Sequence, residues 1–232
     1  YMCELNVENM YEVIDGTYQT DIIPVNENED GFFEACSPRK VGDTYYLIYS
    51  PRIGSRLAYA TSKSPTGPFT YRGYIVDNGV DYPGGNNHGS ICNINGQWYI
   101  FYHRMTNSSI MSRRGCVERI EILEDGTIPP VEMTSLGFEE SLNPYKQTDA
   151  DTVCVLKDGR QQALITELDA FTRIITNITD GCIMGWKYFD FGDDFTNDEL
   201  TFMCKVLPRG CHGTLHICID NEENEIGVVE FE

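Results

Sequence analysis

The sequence is poor in basic residues: 17 Lys and Arg stand against 36 Asp and Glu, a net charge of −19. A surface this acidic repels phosphate backbones and anionic membranes, which argues against nucleic-acid binding and peripheral membrane roles. Nowhere does an apolar run approach the roughly 20 residues of a membrane-spanning helix. The nine cysteines, at 3, 36, 92, 116, 154, 182, 204, 211 and 218, never form a CxxC pair, so a zinc enzyme is excluded. Scattered and odd in number, they read as buried free thiols rather than a disulfide framework. No Gly-x-Ser-x-Gly, Walker or Rossmann pattern occurs, which leaves nucleophile-elbow and nucleotide chemistry without support. A basic-then-apolar leader is also missing, but the chain opens at Tyr1 and stops within the apolar run Ile226–Phe231, so it reads as a piece of a longer protein.

What is present points to strands. Hydrophobic residues make up 41 % and aromatics 12 %, with 14 Tyr, 11 Phe, 21 Gly and 10 Pro, a mixture of strand formers and turn formers. The chain also repeats itself. Val41-Gly-Asp-Thr-Tyr-Tyr-Leu-Ile-Tyr49 lies over Ile94-Asn-Gly-Gln-Trp-Tyr-Ile-Phe-Tyr102 at an offset of 53 residues, each copy opening on a two-residue hairpin turn. Strand-like segments at 57–61 and 69–76 follow the first copy, and segments at 115–122 and 127–131 follow the second. Four short strands in roughly 50 residues is the size of a β-propeller blade; two unrelated hairpins of a sandwich are the other reading.

The expected fold is therefore all-β: a partial β-propeller over 1–135, about two blades plus part of another with Tyr11–Ile14 as an outer strand, then a linker over 136–150. Short strand-like runs at 153–156, 172–175, 185–191, 199–206 and 213–219 suggest an incomplete β-sandwich over 151–232.

Propeller geometry gives the repeat a chemical meaning, because equivalent positions on the innermost strands converge on one axis. The offset sets Asn87 over Glu34 and His88 over Ala35, so Glu34 and Asn87-His88 are expected to face one another across the channel mouth. Glu34, in Phe32-Phe-Glu-Ala-Cys36, sits in an apolar strand start, where desolvation would raise its pKa as a general acid requires; a strand-end carboxylate that is solvated or paired with Arg39 is the plain alternative. His88, in the glycine-rich Gly84-Gly-Asn-Asn-His-Gly-Ser90, reads as a metal ligand, a substrate contact or a satisfied core histidine, the last being the commoner role for such a residue. His103 ends the second aromatic strand and is placed to support the channel floor. Arg113 and Arg114 open the next strand, where one of them would hold a carboxylate or sugar hydroxyl, or pair with surface acids. The sequons at Asn107 and Asn177 carry no weight without a eukaryotic secreted context.

Phe32-Phe-Glu-Ala-Cys-Ser-Pro-Arg-Lys-Val-Gly-Asp-Thr-Tyr-Tyr-Leu-Ile-Tyr-Ser50 resembles the general-acid segment of glycoside hydrolase family 43. Tyr59-Ala-Thr-Ser-Lys-Ser-Pro-Thr-Gly-Pro-Phe69, Gly85-Asn-Asn-His-Gly-Ser90 and Gly96-Gln-Trp-Tyr-Ile-Phe-Tyr-His-Arg104 are similar to later segments of the same family. Residues after about 148, above all those from Asn177 to Gly192, resemble the family 6 carbohydrate-binding sandwich that often follows this propeller. The resemblance implies a five-bladed propeller and an inverting enzyme acting on α-L-arabinofuranosyl or β-D-xylosyl linkages of plant cell-wall polysaccharide, secreted or periplasmic. It casts Glu34 as the acid, Asn87 and Arg113 as substrate contacts, and His88 as the histidine beside a bound calcium ion. Inversion needs a base carboxylate roughly 6.5–9.5 Å from the acid. The family's base and its second aspartate have no match here, and neither Asp21 nor Asp30 carries the motif. The polypeptide alone is then expected to be inactive; a non-catalytic glycan-binding protein is the rival from another class.

Overall fold

The computed structural model describes residues 1–23, 30–193 and 199–232. It is all-β. The first sheet is an antiparallel meander in the order β1-β2-β3-β4, built from β1 (Phe32–Val41), β2 (Thr44–Pro51), β3 (Arg56–Ser62) and β4 (Thr70–Asp77). A second meander runs β5 (Gly89–Ile94), β6 (Gln97–Thr106) and β7 (Ser109–Ile120). Both tight turns lie where the repeat set them. Asn95 and Gly96 both take positive φ, 51° and 91°, the backbone twist a two-residue hairpin asks for.

The second copy has three strands, not the four expected. Residues 127–131 leave their own sheet and reach the outer strand of the first, where Val131 bridges Val76 in parallel and its N–H donates to the Ile75 carbonyl at 2.8 Å. Two buried tyrosines explain the choice. The Tyr46 hydroxyl donates to the Gly126 carbonyl at 2.8 Å, and that of Tyr59 accepts from the Ile128 N–H at 2.9 Å. A buried phenol needs a partner for its polar end, and this segment supplies both. Around these rings lie Ile48, Leu57, Ile75, Ile91 and Ile100, all fully buried. Each such side chain contributes about 1.5–3 kcal/mol on leaving water.

The chain divides into two compact units, Tyr1–Asp190 and Phe191–Glu232. Residues 151–190, assigned from the sequence to the sandwich, thus lie in the first unit, and Val153, Cys154, Leu156, Ala163 and Ile165 share its core. Past Ile120 the strands among the described residues pair in twos: β8 (Val155–Lys157) with β11 (Ile183–Gly185), β9 (Leu164–Glu167) with β10 (Arg173–Thr176), and, in the second unit, β12 (Gly213–Cys218) with β13 (Glu225–Phe231). The strand expected over 185–191 is reduced to a bridge at Phe189, and the described residues 199–206 form none; there Leu200, Phe202 and Met203 stand exposed, with no apolar layer to hold them in a ladder. Tyr11–Ile14 is likewise no strand, only a bridge from Val13 to Leu5. All nine cysteines are free, but only Cys154 is buried, and Cys36, Cys204 and Cys211 are exposed. The asparagines of both sequons are tied up: Asn107 exchanges two hydrogen bonds with the Ile165 backbone, and Asn177 donates to the Gln162 carbonyl.

One buried carboxylate pins the end of the second sheet. Glu118 Oε1 accepts from the Thr134 N–H at 2.7 Å and the Tyr102 hydroxyl at 3.1 Å, and Oε2 accepts from the Thr134 hydroxyl at 2.6 Å. Burial outweighs those bonds and pushes its pKa up. A carboxyl whose folded pKa is raised contributes most below its unfolded value, and that contribution fades as pH rises through the folded value. Glu118→Gln is accordingly expected to flatten the decline in stability from about pH 4 upward, as read by denaturant melts across that range.

Candidate active site

The two inner strands run side by side. The Ser37 hydroxyl donates to that of Ser90 at 2.9 Å, and Arg39 Nε donates to the Ile91 carbonyl at 2.9 Å. Ser37 and Ser90 stand 53 positions apart, the repeat's own offset, so the alignment read from the sequence is a spatial one. It brings the site residues closer than expected, within hydrogen-bond reach as neighbours.

Glu34 stands on an irregular stretch of β1. The pairing register with β2 slips on both sides of it, and Ala35 takes a φ of 52°, left-handed and unfavourable for alanine. A bulge of this kind re-aims a side chain. Here it swings Glu34 toward the loop before β5, where Oε1 accepts from Asn86 Nδ2 at 3.0 Å and lies 3.0 Å from His88 Nε2. Among the described residues, no hydrogen bond reaches Oε2.

The loop is shaped by its glycines and braced by β6. Gly85, at φ 115°, leaves room for Met105: a Cβ there would come within 2.8 Å of the Met105 sulfur. That sulfur in turn lies 3.1 Å from the Asn86 N–H. Residues alternate across a strand, so His103 and Met105 share the face of β6 that meets the loop, and Arg113 pairs with Met105 from β7. Arg104 points the other way, into the core, where it donates to the Val153 and Asp151 carbonyls. His103 Nε2 lies 3.1 Å from Asn86 Oδ1, and its Nδ1 accepts from the His88 N–H at 3.3 Å. The His88 and His103 rings meet edge-on at 5.3 Å.

The electrostatics differ from expectation at one point. The Glu34 pKa is lowered, not raised: the His88 hydrogen bond dominates, with burial opposing it and the charge of His88, the hydrogen bond from Asn86 and the charge of Arg113 adding to it. The apolar enclosure assumed from Phe32 and Phe33 does not form, since both rings are exposed and the Glu34 side chain keeps 44 % of its surface. His103 is held below the usual histidine range by burial, then by Arg113 and His88.

Of the residues singled out from sequence, Glu34 and His88 meet directly. Arg113 is exposed, its Nε donates to the Ile110 carbonyl at 3.0 Å, and it acts on Glu34 through its charge. Asn87 is fully buried; its amide donates to the Ser55 carbonyl at 3.0 Å and its own carbonyl accepts from the Ser50 hydroxyl at 2.5 Å. Asn86 is the asparagine that reaches the acid. Period-two alternation would have found it, because Asn86 and His88 project to the same side of an extended segment and Asn87 to the other. A calcium ion prefers six to eight oxygen ligands. Near His88 the chain supplies one carboxylate and one amide, and among the described residues no three His, Cys, Asp or Glu side chains converge. These residues do not make a calcium site by themselves.

The Glu34 carboxyl is thus half-exposed, with Oε1 held by an amide and an imidazole and, among the described residues, no hydrogen bond to Oε2. No protein-family profile matches the chain. Among curated proteins it is 46 % identical over 191 residues to a xylosidase/arabinosidase of Thermoclostridium stercorarium, covering 68 % of this chain and 40 % of that protein. It is 29 % identical over 210 residues to an arabinoxylan arabinofuranohydrolase of Paenibacillus polymyxa, covering 82 % of this chain and 32 % of that one. Among solved structures it matches a glycoside hydrolase family 43 arabinoxylan arabinofuranohydrolase from Bacillus subtilis in complex with cellotetraose, at 28 % identity and a TM-score of 0.42, over 69 % of this chain and 37 % of that one. The chain belongs to glycoside hydrolase family 43. It spans 40 % or less of the length of these curated relatives.

Proposed function

We propose that the chain carries the general-acid half of an inverting glycosidase that cleaves α-L-arabinofuranosyl or β-D-xylosyl linkages in plant cell-wall polysaccharide of the arabinoxylan type. Glu34 protonates the departing glycosidic oxygen. The observation behind this is the asymmetry of its carboxyl: Oε1 is held by Asn86 and His88, and Oε2 is left for substrate. The names of the curated relatives support the sugar class.

The low pKa of Glu34 fits a half-site. A general acid must keep its proton near neutral pH, and a nearby carboxylate raises an acid's pKa by like-charge repulsion. Among the described residues, no carboxylate is one of the groups acting on Glu34. The base that activates water, roughly 6.5–9.5 Å away in an inverting enzyme, then comes from sequence beyond these residues, and the 232-residue polypeptide alone is inactive. A secreted or periplasmic setting accords with a polymeric substrate and a net charge of −19.

The test is hydrolysis of aryl α-L-arabinofuranoside and β-D-xyloside by the full-length protein and by this polypeptide, with the anomer of the product followed by NMR. Inverted product from the full-length protein and none from the polypeptide is expected. Turnover by the polypeptide would show the base to lie within it, and an inactive full-length protein that still binds arabinoxylan would favour a glycan-binding role. Arg113 gives a further prediction. Its charge lowers the Glu34 pKa, so Arg113→Met is expected to move the alkaline limb of kcat/KM, which reports the acid's ionisation, to higher pH.

A further inference from the structure

We infer that His103 is a positioning residue for the acid Glu34, acting through Asn86, an inference that rests on the reading of Glu34 as the general acid. The hydrogen bonds admit one direction. The His88 backbone N–H can only donate, so His103 Nδ1, 3.3 Å away, is a bare acceptor. A neutral imidazole with Nδ1 unprotonated carries its proton on Nε2, and Nε2 lies 3.1 Å from Asn86 Oδ1. That donation fixes the Asn86 amide. Turned over, it would set its NH2 against the Nε2–H and its oxygen against the carboxylate. Held as it is, Nδ2 donates to Glu34 Oε1 at 3.0 Å.

Four groups on three segments thus make one line: the His88 N–H, the His103 ring, the Asn86 amide and the Glu34 carboxyl. Met105, two residues along the same face of β6, braces the other end of Asn86 through its contact with the backbone N–H at 3.1 Å. Without the line, a half-exposed glutamate on an irregular strand has several rotamers open to it, and only some point Oε2 at a glycosidic oxygen. His103 touches neither Glu34 nor the space beyond Oε2; its effect is on where the proton is delivered.

A proton-delivery defect has a signature that a general structural defect lacks. Protonation matters most for a poor leaving group and little for one that departs as a stable anion. The full-length protein is assayed on aryl glycosides of graded leaving-group acidity and on an oligosaccharide, as wild type, Glu34→Gln, His103→Leu, His103→Gln and Asn86→Ala. Misplacement of a catalytic group costs on the order of 10²-fold. His103→Leu is expected to lose about 30–100-fold in kcat on the oligosaccharide and less than about threefold on a dinitrophenyl glycoside, with KM nearly unchanged. His103→Gln, whose amide NH2 restores a donor near the Nε2 position, is expected to recover most of the loss. Equal losses along the whole series, or none, would overturn the relay. If Glu34→Gln shows the leaving-group dependence and His103→Leu does not, the relay fails and the acid assignment stands; if Glu34→Gln shows none, both fail. Should His103→Leu not fold, Asn86→Ala decides by the same criterion, a graded loss supporting the relay and a uniform one overturning it.

Discussion

Glu34→Gln is expected to lower kcat/KM of the full-length protein on arabinoxylan oligosaccharides by about 10²–10⁴-fold, the usual worth of a general acid. Glutamine keeps the length of the side chain and offers Asn86 and His88 an oxygen in place of Oε1. The change therefore isolates the proton from the geometry. On an aryl substrate with a good leaving group the loss shrinks, since the departing anion needs little help. The alkaline limb of the pH profile that reports the acid's ionisation also disappears, because no ionisable group remains at the position. Steady-state rates on the two substrate types from pH 5 to 9 check all three. An unchanged rate on the oligosaccharide would place the acid elsewhere.

The parts of this molecule legible in its sequence are those where local chemistry and repetition agree. The two hairpins could be read because Gly42-Asp43 and Asn95-Gly96 are turn residues flanked by strand formers, and the offset between them placed Ser37 against Ser90 and Glu34 beside the Asn86–His88 loop. What could not be read depended on contacts distant in the chain. Residues 127–131 look like a fourth strand of their own blade, but Tyr46 and Tyr59 draw them to the other sheet. Residues 151–190 look like the start of a separate domain, yet Val153 and Ile165 complete the core beneath the second meander, and Arg104 and Asn107 tie them there through backbone bonds. The Glu34 pKa was misjudged because apolar neighbours in sequence are not apolar surroundings: Phe33 keeps 63 % of its surface, and the imidazole that sets the pKa is 54 positions away. Asn87 instead of Asn86 is an error of one residue, which on an extended segment is the difference between core and site.

That sensitivity to a single position has its counterpart in stability at Gly89, the first residue of β5. A Cβ there would meet the Leu57 Cδ1 and the Phe101 carbonyl oxygen at 2.5 Å each, and the Tyr102 Cβ at 3.1 Å. The Leu57 side chain belongs to the filled core, and the carbonyl belongs to the β5–β6 ladder, where Gly89 pairs with Tyr102. Neither can give way without moving a sheet. Gly89→Ala is therefore expected to cost about 1–3 kcal/mol, the range for overpacking a well-filled site, and Gly89→Val more. Gly115→Ala is the control: its φ is not positive, nothing lies within 4 Å of its Cβ, and alanine lowers the entropy of the unfolded chain, so stability should be unchanged or slightly raised. Urea melts of the three variants beside wild type measure the differences. Gly89 also follows His88 directly, so a shift of β5 carries the imidazole away from Glu34 and the His88 N–H away from His103. Activity on an oligosaccharide should then fall in Gly89→Ala even at temperatures where the protein remains folded, and a variant that lost stability but kept full activity would show the strand start and the site to be mechanically independent.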